Sequence, residues 1–360
     1  MSKEYILIIN PGSTSTKVAL FKENKSIIQK SLNHLPQELE AFHRVTDQFE
    51  YRRDMIIEWM ASENIEITEL KAVVGRGGLL KPMPSGTYKV TDGMIEDLKI
   101  GVQGEHASNL GGIIAKSIAD MGKIDAYIVD PVAVDEFHDV ARISGIPEIK
   151  RRSLVHALNI KAVAHRVAKE MKKDVNALNM VVAHLGGGIS IVPLQMGKII
   201  DANNANEMGP FSPERTGSLP IGDVVKMCLS EKYTLQEMKK KITGKGGLVA
   251  YLGTNDAREV EKKISEGDEK AKLIYEAMGY QIAKEIGAMA TVLHGGIDAI
   301  VLTGGMAYSK MLMDYIQERV AFIAPVVIEP GEDEMLALNE GVNRVLSGEE
   351  KAKIYEDEVK

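Results

Sequence analysis

The chain has 360 residues and a formal net charge of −7. A single hydrophobic core rarely keeps growing at this length, so we expect two domains. The acidic balance argues against a protein held on nucleic acid by a general basic field, and no apolar run approaches the ~20 residues of a membrane span. The N-terminus enters a predicted strand directly, without the pattern of a signal peptide, which favours a cytoplasmic protein.

The first predicted element is a strand–turn–strand unit. An apolar run over 5–9 predicts a buried strand, and Asn10-Pro11-Gly12 is a strong turn signal. Four consecutive hydroxyl residues, 13–16, and Lys17 precede a second strand. A turn of small donors with exposed backbone N–H groups suits a phosphate anion. Taken alone, a plain Ser/Thr-rich hairpin is the simpler explanation.

Further elements follow in the first half of the chain. A third strand is predicted over 25–32, and helical segments over 36–64 and 104–121. Short buried strands at 71–74 and 126–129 each run into a sharp break. The breaks are Gly75-Arg76-Gly77-Gly78, a glycine turn that holds an arginine, and Asp130-Pro131.

The opening pattern recurs in the second half. Strand, glycine-rich turn and strand follow one another at 179–192, and a third strand runs into glycines at 299–306. A long helix at about 268–293 carries one apolar face, formed by Ile274, Met278, Ile282, Ile286 and Met289/Ala290. The recurrence predicts a duplicated α/β fold, with domains at 1–150 and 151–340. The segment at about 340–360 is expected to pack back on the first domain, its charged end 349–360 forming a solvated helix end.

Missing motifs argue against a P-loop enzyme, a simple Rossmann dehydrogenase and a serine hydrolase. The chain has no Walker motif, no complete G-x-G-x-x-G after a strand, no H-E-x-x-H and no G-x-S-x-G. The single cysteine, Cys228, argues against a disulfide or a cysteine-based metal cluster, and its apolar-periodic surroundings predict a core position. Three strand–glycine turns remain. They suit a nucleoside triphosphate gripped from several sides, or they simply end strands.

The motifs, taken together and in order, resemble the acetate/butyrate kinase family of the actin, sugar kinase and Hsp70 superfamily. The resemblance spans about residues 5 to 345. It rests on the segments Asn10–Lys17, Val74–Gly78, Val129–Pro131, Arg151–Asn159, His184–Gly188 and Gly209–Pro220. It implies an α/β fold of two duplicated actin-like (ribonuclease H-like) domains with an interdomain nucleotide cleft.

Details within the motifs favour the butyrate kinase branch of the family. Gly187 stands where the acetate kinase form carries an asparagine. The segments Gly209–Arg215 and Arg76–Pro82 look like butyrate kinases, and branched-chain fatty-acid kinases share them. The implied reaction is ATP plus a short carboxylate giving ADP and an acyl phosphate, or the reverse. The resemblance also implies a homodimer or larger homo-oligomer, and leaves chain length, branching and physiological direction open.

The resemblance implies four catalytic residues: Arg76, Asp130, His156 and Arg215. Guanidinium groups suit phosphoryl transfer because they are always charged and present planar forks to oxyanions. A carboxylate acceptor is already ionised at neutral pH, so Asp130 is not assigned as a base. It is expected to orient Arg76 or the Mg²⁺ water shell. Without the flanking motifs, salt bridges and a helix cap would explain the arginines and the histidine.

The nucleotide and its Mg²⁺ are the implied cofactors. The implied nucleotide-binding residues are Asn10, Ser13, Ser15, His184, Gly186, Gly187, Gly188, Asp256, Arg258, Gly304 and Gly305. Asn10 and a late carboxylate, Glu334 or its neighbour Asp333, are expected at the Mg²⁺ shell. For Asp256 and Arg258 a helix N-cap with an exposed arginine is an equal alternative, and His106 is a further histidine of undefined role.

Two other classes of function stay open at this point. An actin- or Hsp70-like ATP-driven assembly protein would share the nucleotide motifs but would not need an arginine and histidine set for an acceptor. A sugar kinase of the superfamily would need a catalytic base, for which only Asp130 is a candidate. Within the family, a preference for acetate or propionate is the alternative to butyrate.

Overall fold

The computed structural model describes residues 3–359 and divides the chain into two compact units. The first unit comprises Met1–Asp135 and Asp333–Lys360, and the second comprises Glu136–Glu332. The division therefore falls before the boundary near 150 that the sequence suggested. The intervening stretch belongs to the second unit because the His138 N–H donates to the Ile200 carbonyl and Arg151 forms an ion pair with Asp201.

The first unit begins with a three-stranded meander and continues with alternating helices and strands. Its strands up to residue 135 are β1 (Tyr5–Pro11), β2 (Ser15–Lys22), β3 (Lys25–Asn33), β4 (Leu70–Arg76), β5 (Thr87–Lys89) and β6 (Ala126–Val129). Its helices there are α1 (Pro36–Leu39), α2 (Phe49–Ser62), α3 (Asp92–Ile100) and α4 (Asn109–Gly122).

The second unit repeats this plan with more helices. Its helices are α5 (Ala157–Glu170), α6 (Ile221–Cys228), α7 (Leu235–Ile242), α8 (Gly247–Leu252), α9 (Ala257–Ser265), α10 (Glu269–Val292) and α11 (Lys310–Val320). Its strands are β7 (Asn179–Leu185), β8 (Ile189–Gln195), β9 (Lys198–Ile199), β10 (Ala299–Gly304) and β11 (Val326–Pro330).

The C-terminal segment completes the first unit with α12 (Glu334–Leu346), β12 (Lys353–Ile354) and α13 (Tyr355–Glu358). Strand β12 pairs with β5, and Tyr355 is fully buried. The Tyr355 hydroxyl donates to Asp97 Oδ2 at 2.8 Å and accepts from the Lys81 N–H at 3.2 Å. The charged residues of the predicted solvated helix end are mostly exposed, but one aromatic side chain among them, Tyr355, anchors the segment in the core.

The two sheets share a five-strand topology, which confirms the predicted duplication, and the first sheet adds β5, antiparallel to β6, and then β12. The first sheet has the order β12-β5-β6-β4-β1-β2-β3 and the second β11-β10-β7-β8-β9. In each, an antiparallel meander (β1–β3, or β7–β9) is extended by parallel strands beside its first member. Because β1 and β7 occupy equivalent central places, the turns that follow them are equivalent as well.

Helices cover both faces of the central strands. In β1, Leu7 and Ile9 pack into a core shared with α2 and α4, while α12 contacts β1, β4 and β6. In the second unit the predicted apolar face of α10 packs on β7 and β8, so that helix prediction is confirmed. Burial on both faces explains why these strands appear as continuous apolar runs.

Some sequence expectations need correction at the level of elements. The stretch 36–64 contains α1, a 3₁₀ turn at Val45–Gln48 and α2 rather than one helix. Helix α4 begins at Asn109, after a turn-rich stretch from 104. Cys228 is exposed, because α6 buries none of its residues, so the predicted core position was wrong.

Candidate active site

The predicted site residues fall into two groups, one in each unit. In the first unit, the β1–β2 hairpin pairs Asn10 with Lys17 and is closed by a bond from the Gly12 N–H to the Ser15 carbonyl at 2.7 Å. Ser13 and Thr14 are exposed at its tip, and Ser15 is half-buried. Small side chains at an exposed tip leave the backbone accessible to an anion.

Arg76 ends β4 beside Asn10 and Glu334. Asn10 Nδ2 donates to Glu334 Oε2 at 2.6 Å, and Arg76 Nη2 lies 3.4 Å from Glu334 Oε1. The Arg76 side chain is only 12% exposed, and its buried Nη1 has no hydrogen-bond partner among the described residues. A buried guanidinium with an unused donor is energetically costly, so the geometry suits an anionic ligand at Arg76.

The two late carboxylates, Asp333 and Glu334, make different contacts at the start of α12. Asp333 is the N-cap, and its Oδ1 accepts from the Leu336 N–H at 2.9 Å. Glu334, one residue on, faces Asn10 and Arg76. Among residues 3–359 no group of three or more acidic, histidine or cysteine side chains could hold a metal. One carboxylate and one amide oxygen fit Mg²⁺ bound mainly by phosphates and water.

Close backbone packing positions Arg76. A Cβ at Gly75 would overlap the backbone of Gly111 in the first turn of α4, and a Cβ at Gly111 would overlap the backbone of Arg76. A Cβ at Gly78 would meet Asn109. These glycines bring the end of β4 against α4, so the turn that carries Arg76 has little freedom to shift.

Asp130 is buried, and its carboxylate bonds to the turn that precedes β5. Its φ is +38°, and its Oδ1 accepts from Ser85 Oγ at 2.7 Å and from the Gly86 N–H at 2.8 Å. The carboxylate beside Arg76 is that of Glu334. Asp130 therefore holds the turn before β5, and its expected role in orienting Arg76 or the Mg²⁺ water shell stays a prediction.

His106 forms its described contacts locally. It is exposed, and its Nδ1 accepts from the Ser108 N–H at 3.2 Å and lies 2.9 Å from Ser108 Oγ. These bonds shape the turn before α4. A role for His106 in the reaction stays a prediction.

In the second unit, Arg215 lies directly against the glycine turn 186–188. A Cβ at Gly188 would overlap the Arg215 guanidinium, so only glycine permits this approach. Arg215 Nη1 donates to the Ala205 carbonyl at 2.9 Å, while its buried Nε has no hydrogen-bond partner in the described part of the chain. Burial lowers the pKa of Arg215, and Glu214 opposes that shift. An anion at this turn would offset the cost of the buried charge.

Ser212 joins the turn to the Arg215 loop and was missed by the sequence reasoning. Its buried Oγ donates to the Gly187 carbonyl at 2.6 Å and accepts from the Arg215 N–H at 3.1 Å. Its place within the Gly209–Pro220 motif was the only available signal. A single hydroxyl thus fixes the turn and the arginine in one arrangement.

His156 and His184 form a stacked pair. Their ring centroids are 4.1 Å apart at an interplanar angle of 19°, and His156 Nδ1 lies 2.9 Å from Ser190 Oγ. His184 is buried, and its Nδ1 lies 2.8 Å from Asn159 Oδ1, which can only accept. Burial, and then the neighbouring His156, lower the pKa of His184 well below its usual range. His184 is therefore neutral, and its ring packs against the ring of His156.

Asn159 links this pair to the turn at Gly304. Thr303 Oγ1 donates to the Gly331 carbonyl at 3.3 Å and lies 3.5 Å from Asn159 Oδ1, and Gly304 and Gly331 exchange two backbone bonds. Gly304 has φ +91°, and a Cβ there would overlap the backbone of Leu185 at the end of β7. Gly305 is exposed with open space at its Cβ position, so its backbone is accessible to a ligand.

Asp256 and Arg258 adopt the N-cap arrangement that the sequence left as an alternative. Asp256 caps α9 by accepting from the Arg258 N–H at 2.9 Å, and the two side chains form an ion pair at 2.7 Å. The Arg258 side chain is 91% exposed. Its hydrogen bonds lower the pKa of Asp256 to about 2. Neither residue is buried with the glycine turns, so a contact with the nucleoside stays a prediction.

Comparison with known proteins identifies the class first. The model of the Acetokinase family matches residues 144–351, which is more than half of the chain. The fold is that of acetate kinase structures: those from Porphyromonas gingivalis and Entamoeba histolytica give TM-scores of 0.78 and 0.75 at 18% identity, each covering 94% of this chain and 99% of theirs. The chain belongs to the acetate/butyrate kinase family, and its two units are the predicted actin-like domains.

Within the family, the similarity is high to proteins named butyrate kinases. Butyrate kinase 2 of Clostridium acetobutylicum is 59% identical over 97% of this chain and 99% of its own length. Butyrate kinase 1 of the same organism is 56% identical over the same shares. The match therefore covers both units. No helix among the described residues is long and apolar enough to cross a membrane.

Proposed function

We propose that this protein catalyses the reversible, ATP-dependent phosphorylation of butyrate, giving butyryl phosphate and ADP. The observation that carries the proposal is the Arg76 group: a buried guanidinium with an unused donor, held beside Asn10 and Glu334. An assembly protein of the same superfamily has no need for this costly buried cation. The full-length identity to named butyrate kinases supports the choice of acid.

The chemistry is a direct in-line transfer. An oxygen of the ionised carboxylate attacks the γ-phosphorus, and the bond from that phosphorus to the β,γ-bridging oxygen breaks. The bridging oxygen leaves on ADP with the electron pair. No proton needs to be removed from the acceptor, so the protein needs cations and donors rather than a base.

Three side chains are assigned to the transferring group. Arg76 neutralises the carboxylate and an equatorial oxygen of the phosphoryl group, and Arg215 stabilises the charge that develops in the transition state. His156 donates a hydrogen bond to the same group from a ring held by Ser190 and stacked on neutral His184. Asp130 contributes indirectly, by holding the Ser85–Gly86 turn.

The nucleotide is assigned to the turns. Ser13 and Ser15 of the β1–β2 hairpin and the backbone of Gly186–Gly188 bind phosphate oxygens, and Gly304 and Gly305 pack on the adenosine. Asp256 and Arg258 are assigned to the rim of the nucleoside site. Asn10 and Glu334 would hold Mg²⁺ through its water shell, and the ion would offset phosphate charge when bound.

A hydroxamate assay tests the proposal and its alternatives. Purified protein with ATP, Mg²⁺ and hydroxylamine is given acetate, propionate, butyrate, isobutyrate or isovalerate, and kcat/KM is compared across the series. We expect butyrate to give the highest value or to share it with a branched acid. A maximum at acetate or propionate would change the assigned substrate from butyrate to that acid, but the protein would still be a carboxylate kinase. ATP turnover without a carboxylate-dependent product would favour an assembly protein instead.

We further propose that the enzyme works in the cytoplasm as a homodimer or larger homo-oligomer. The resemblance to the family supports the assembly, as do exposed large apolar side chains of the second unit, including Ile221, Leu229 and Leu235. Light scattering coupled to size-exclusion chromatography gives the molar mass. A value near the 39.4 kDa of one chain at micromolar concentration would contradict the assembly.

A further inference from the structure

A buried arginine that carries no predicted role lies beneath the phosphate-binding hairpin. Arg52, on α2, is 1% exposed, and every nitrogen of its guanidinium is engaged. Nη1 donates to the Gly12 carbonyl at 2.8 Å, and Nη2 donates to the Ser13 carbonyl at 3.3 Å. Nη1 also reaches Thr16 Oγ1 at 3.1 Å. One side chain of α2 therefore holds the tip of the hairpin.

The positive charge of Arg52 has no carboxylate partner among residues 3–359. Its remaining acceptors are the Ser15 carbonyl at 3.4 Å and Gln48 Oε1, which receives bonds of 3.1 Å from Nε and 2.7 Å from Nη2. Burial lowers the pKa of Arg52 to about 10, so the group remains charged at neutral pH. A buried charge without a counter-ion is costly unless an anion compensates it.

The contacts of Arg52 with the hairpin carbonyls also determine which backbone groups face outward. In a trans peptide the C=O of one residue and the N–H of the next point in opposite directions. Because the Gly12 and Ser13 carbonyls point at Arg52, the N–H groups of Ser13 and Thr14 point away from it. Both residues are exposed, and neither N–H has an acceptor in the described part of the chain. The tip thus presents two free donors on the side opposite a buried cation.

We propose that Arg52 is a positioning residue for phosphate: it holds the hairpin carbonyls inward, directs the Ser13 and Thr14 N–H groups at a phosphate of the nucleotide, and attracts that phosphate with its uncompensated charge. This inference rests on the proposed function, since it needs a nucleotide phosphate at the hairpin. It distinguishes Arg52 from Arg76 and Arg215, which touch the reacting groups.

The test compares Arg52→Met and Arg52→Lys with the control Arg53→Met. Arg53 is the next residue of α2, and its side-chain hydrogen bonds among the described residues go to Asp54 and Ser117 rather than to the hairpin. Equilibrium dialysis measures ATP and adenosine binding, and steady-state assays measure the KM values for ATP and butyrate. We expect Arg52→Met to weaken ATP binding on the order of tenfold or more, because the Ser13 and Thr14 N–H donors would lose the contacts that hold them in position for a charged phosphate. Adenosine binding and the KM for butyrate should change less than about twofold, since neither ligand carries a phosphate that the clamp could serve.

Two further measurements separate positioning from general support of the fold. Arg52→Lys keeps the charge but loses the planar fork, so it should bind ATP with intermediate affinity. Added guanidinium should restore ATP affinity to Arg52→Ala and leave Arg53→Ala unchanged. If Arg52→Met does not fold, as judged by circular dichroism, Arg52→Lys and the rescued Arg52→Ala decide the question.

The outcomes distinguish the two proposals. If the wild-type enzyme makes butyryl hydroxamate and all folded Arg52 variants bind ATP like wild type, the role of Arg52 is overturned and the function stands. Equal loss of ATP and adenosine affinity would also overturn it, since that pattern reports a collapsed fold. If the wild type makes no acyl phosphate but ATP binding still depends on Arg52, the kinase assignment fails and the phosphate role is retained.

Discussion

Arg76 and Arg215 share an unusual local state: Arg76 is largely buried and Arg215 is half-buried, and each has one buried guanidinium nitrogen without a hydrogen-bond partner in the described chain. Natural proteins rarely leave such donors unused, because an unmade bond to a buried charged group costs on the order of 1–3 kcal/mol or more. A bound anion explains both. Most of the predicted nucleotide-binding residues are instead glycines and small hydroxyl residues, which contribute backbone access rather than charge.

We expect Arg76→Ala and Arg215→Ala each to lower kcat on the order of 10²-fold or more, as when a transition-state donor is lost. Arg76→Lys and Arg215→Lys should recover only part of the loss, since an ammonium cannot present a planar fork. Arg319→Ala, which removes an arginine bonded to the Tyr315 carbonyl on α11, is the control and should retain activity. Turnover close to wild type in either alanine variant would contradict the assigned role.

Substitutions should distinguish the roles of the two neighbouring carboxylates at the start of α12. Glu334→Gln is expected to raise the Mg²⁺ concentration needed for half-maximal rate, because it removes the only carboxylate beside Asn10 and Arg76 among the described residues. Asp333→Ala should instead lower the free energy of unfolding by about 1 kcal/mol through loss of the N-cap. Magnesium titrations and urea unfolding of both variants measure these effects. An altered Mg²⁺ requirement in Asp333→Ala alone would assign the Mg²⁺ site to Asp333 instead of Glu334.

At the scale of elements, the site depends on turns that end central strands. The turn after β1 is clamped by Arg52, the turn after β7 is pinned by Ser212, and the turn after β10 is held against Leu185. Each turn follows a strand that is buried on both faces, and a rigid strand presents its loop at a defined place. The glycines permit approaches that a Cβ would block, most clearly at Gly188.

Gly188→Ala should therefore displace the Arg215 guanidinium, which the new Cβ would overlap. We expect kcat to fall on the order of tenfold or more, as for a misplaced catalytic group. The free energy of unfolding should change by much less than the activation free energy. Gly287→Ala in α10 is the control, because its Cβ position is open and alanine favours a helix by roughly 0.5–1 kcal/mol. Unchanged kcat in Gly188→Ala would show that Arg215 does not need this contact.

At the scale of the whole molecule, each unit contains a buried histidine beside its predicted phosphate-binding turn. In the first unit, burial and the charge of Arg52 lower the pKa of His34 from 6.5 to about 4, and its Nε2 lies 2.8 Å from Thr16 Oγ1. His184 in the second unit is shifted in the same direction. In both, the unfolded chain binds a proton more readily than the folded one, so stability falls with pH below the unfolded pKa.

We expect the free energy of unfolding to decrease as pH falls from 6.5 towards 4, through the window between the unfolded and folded pKa values of His34. Each such histidine contributes up to about 1.4 kcal/mol per pH unit. His34→Gln should reduce the slope between pH 6.5 and 5, where most carboxylates have not yet titrated, relative to wild type. Urea unfolding at several pH values measures the slope. An identical slope in His34→Gln would show that a group other than His34 causes the pH dependence of the free energy of unfolding.

Most of the architecture was predictable because it depends on local patterns. Continuous apolar runs identified β1, β4, β6, β7 and β10, and the four-residue spacing identified α10, since a strand or helix records its burial in its own periodicity. The anchoring of segment 349–360 could not be predicted, because its many charged residues outweigh the single buried Tyr355 in the sequence pattern. Exposure of the apolar-periodic α6 was equally hidden, since periodicity records a face but not whether anything covers it.

The sequence by itself determined the strand–turn–strand units, their duplication and the ordered motifs that assign the family. Only the tertiary structure places Glu334 beside Asn10 while Asp333 caps α12, brings Asp130 to the Ser85–Gly86 turn and reveals Arg52 beneath the hairpin. The physical reason is distance along the chain. Asn10 and Glu334 are 324 residues apart, and Arg52 is 40 residues from the Gly12 carbonyl it holds. A local pattern records the conformation of its own segment, whereas these partners are chosen by how separate segments pack.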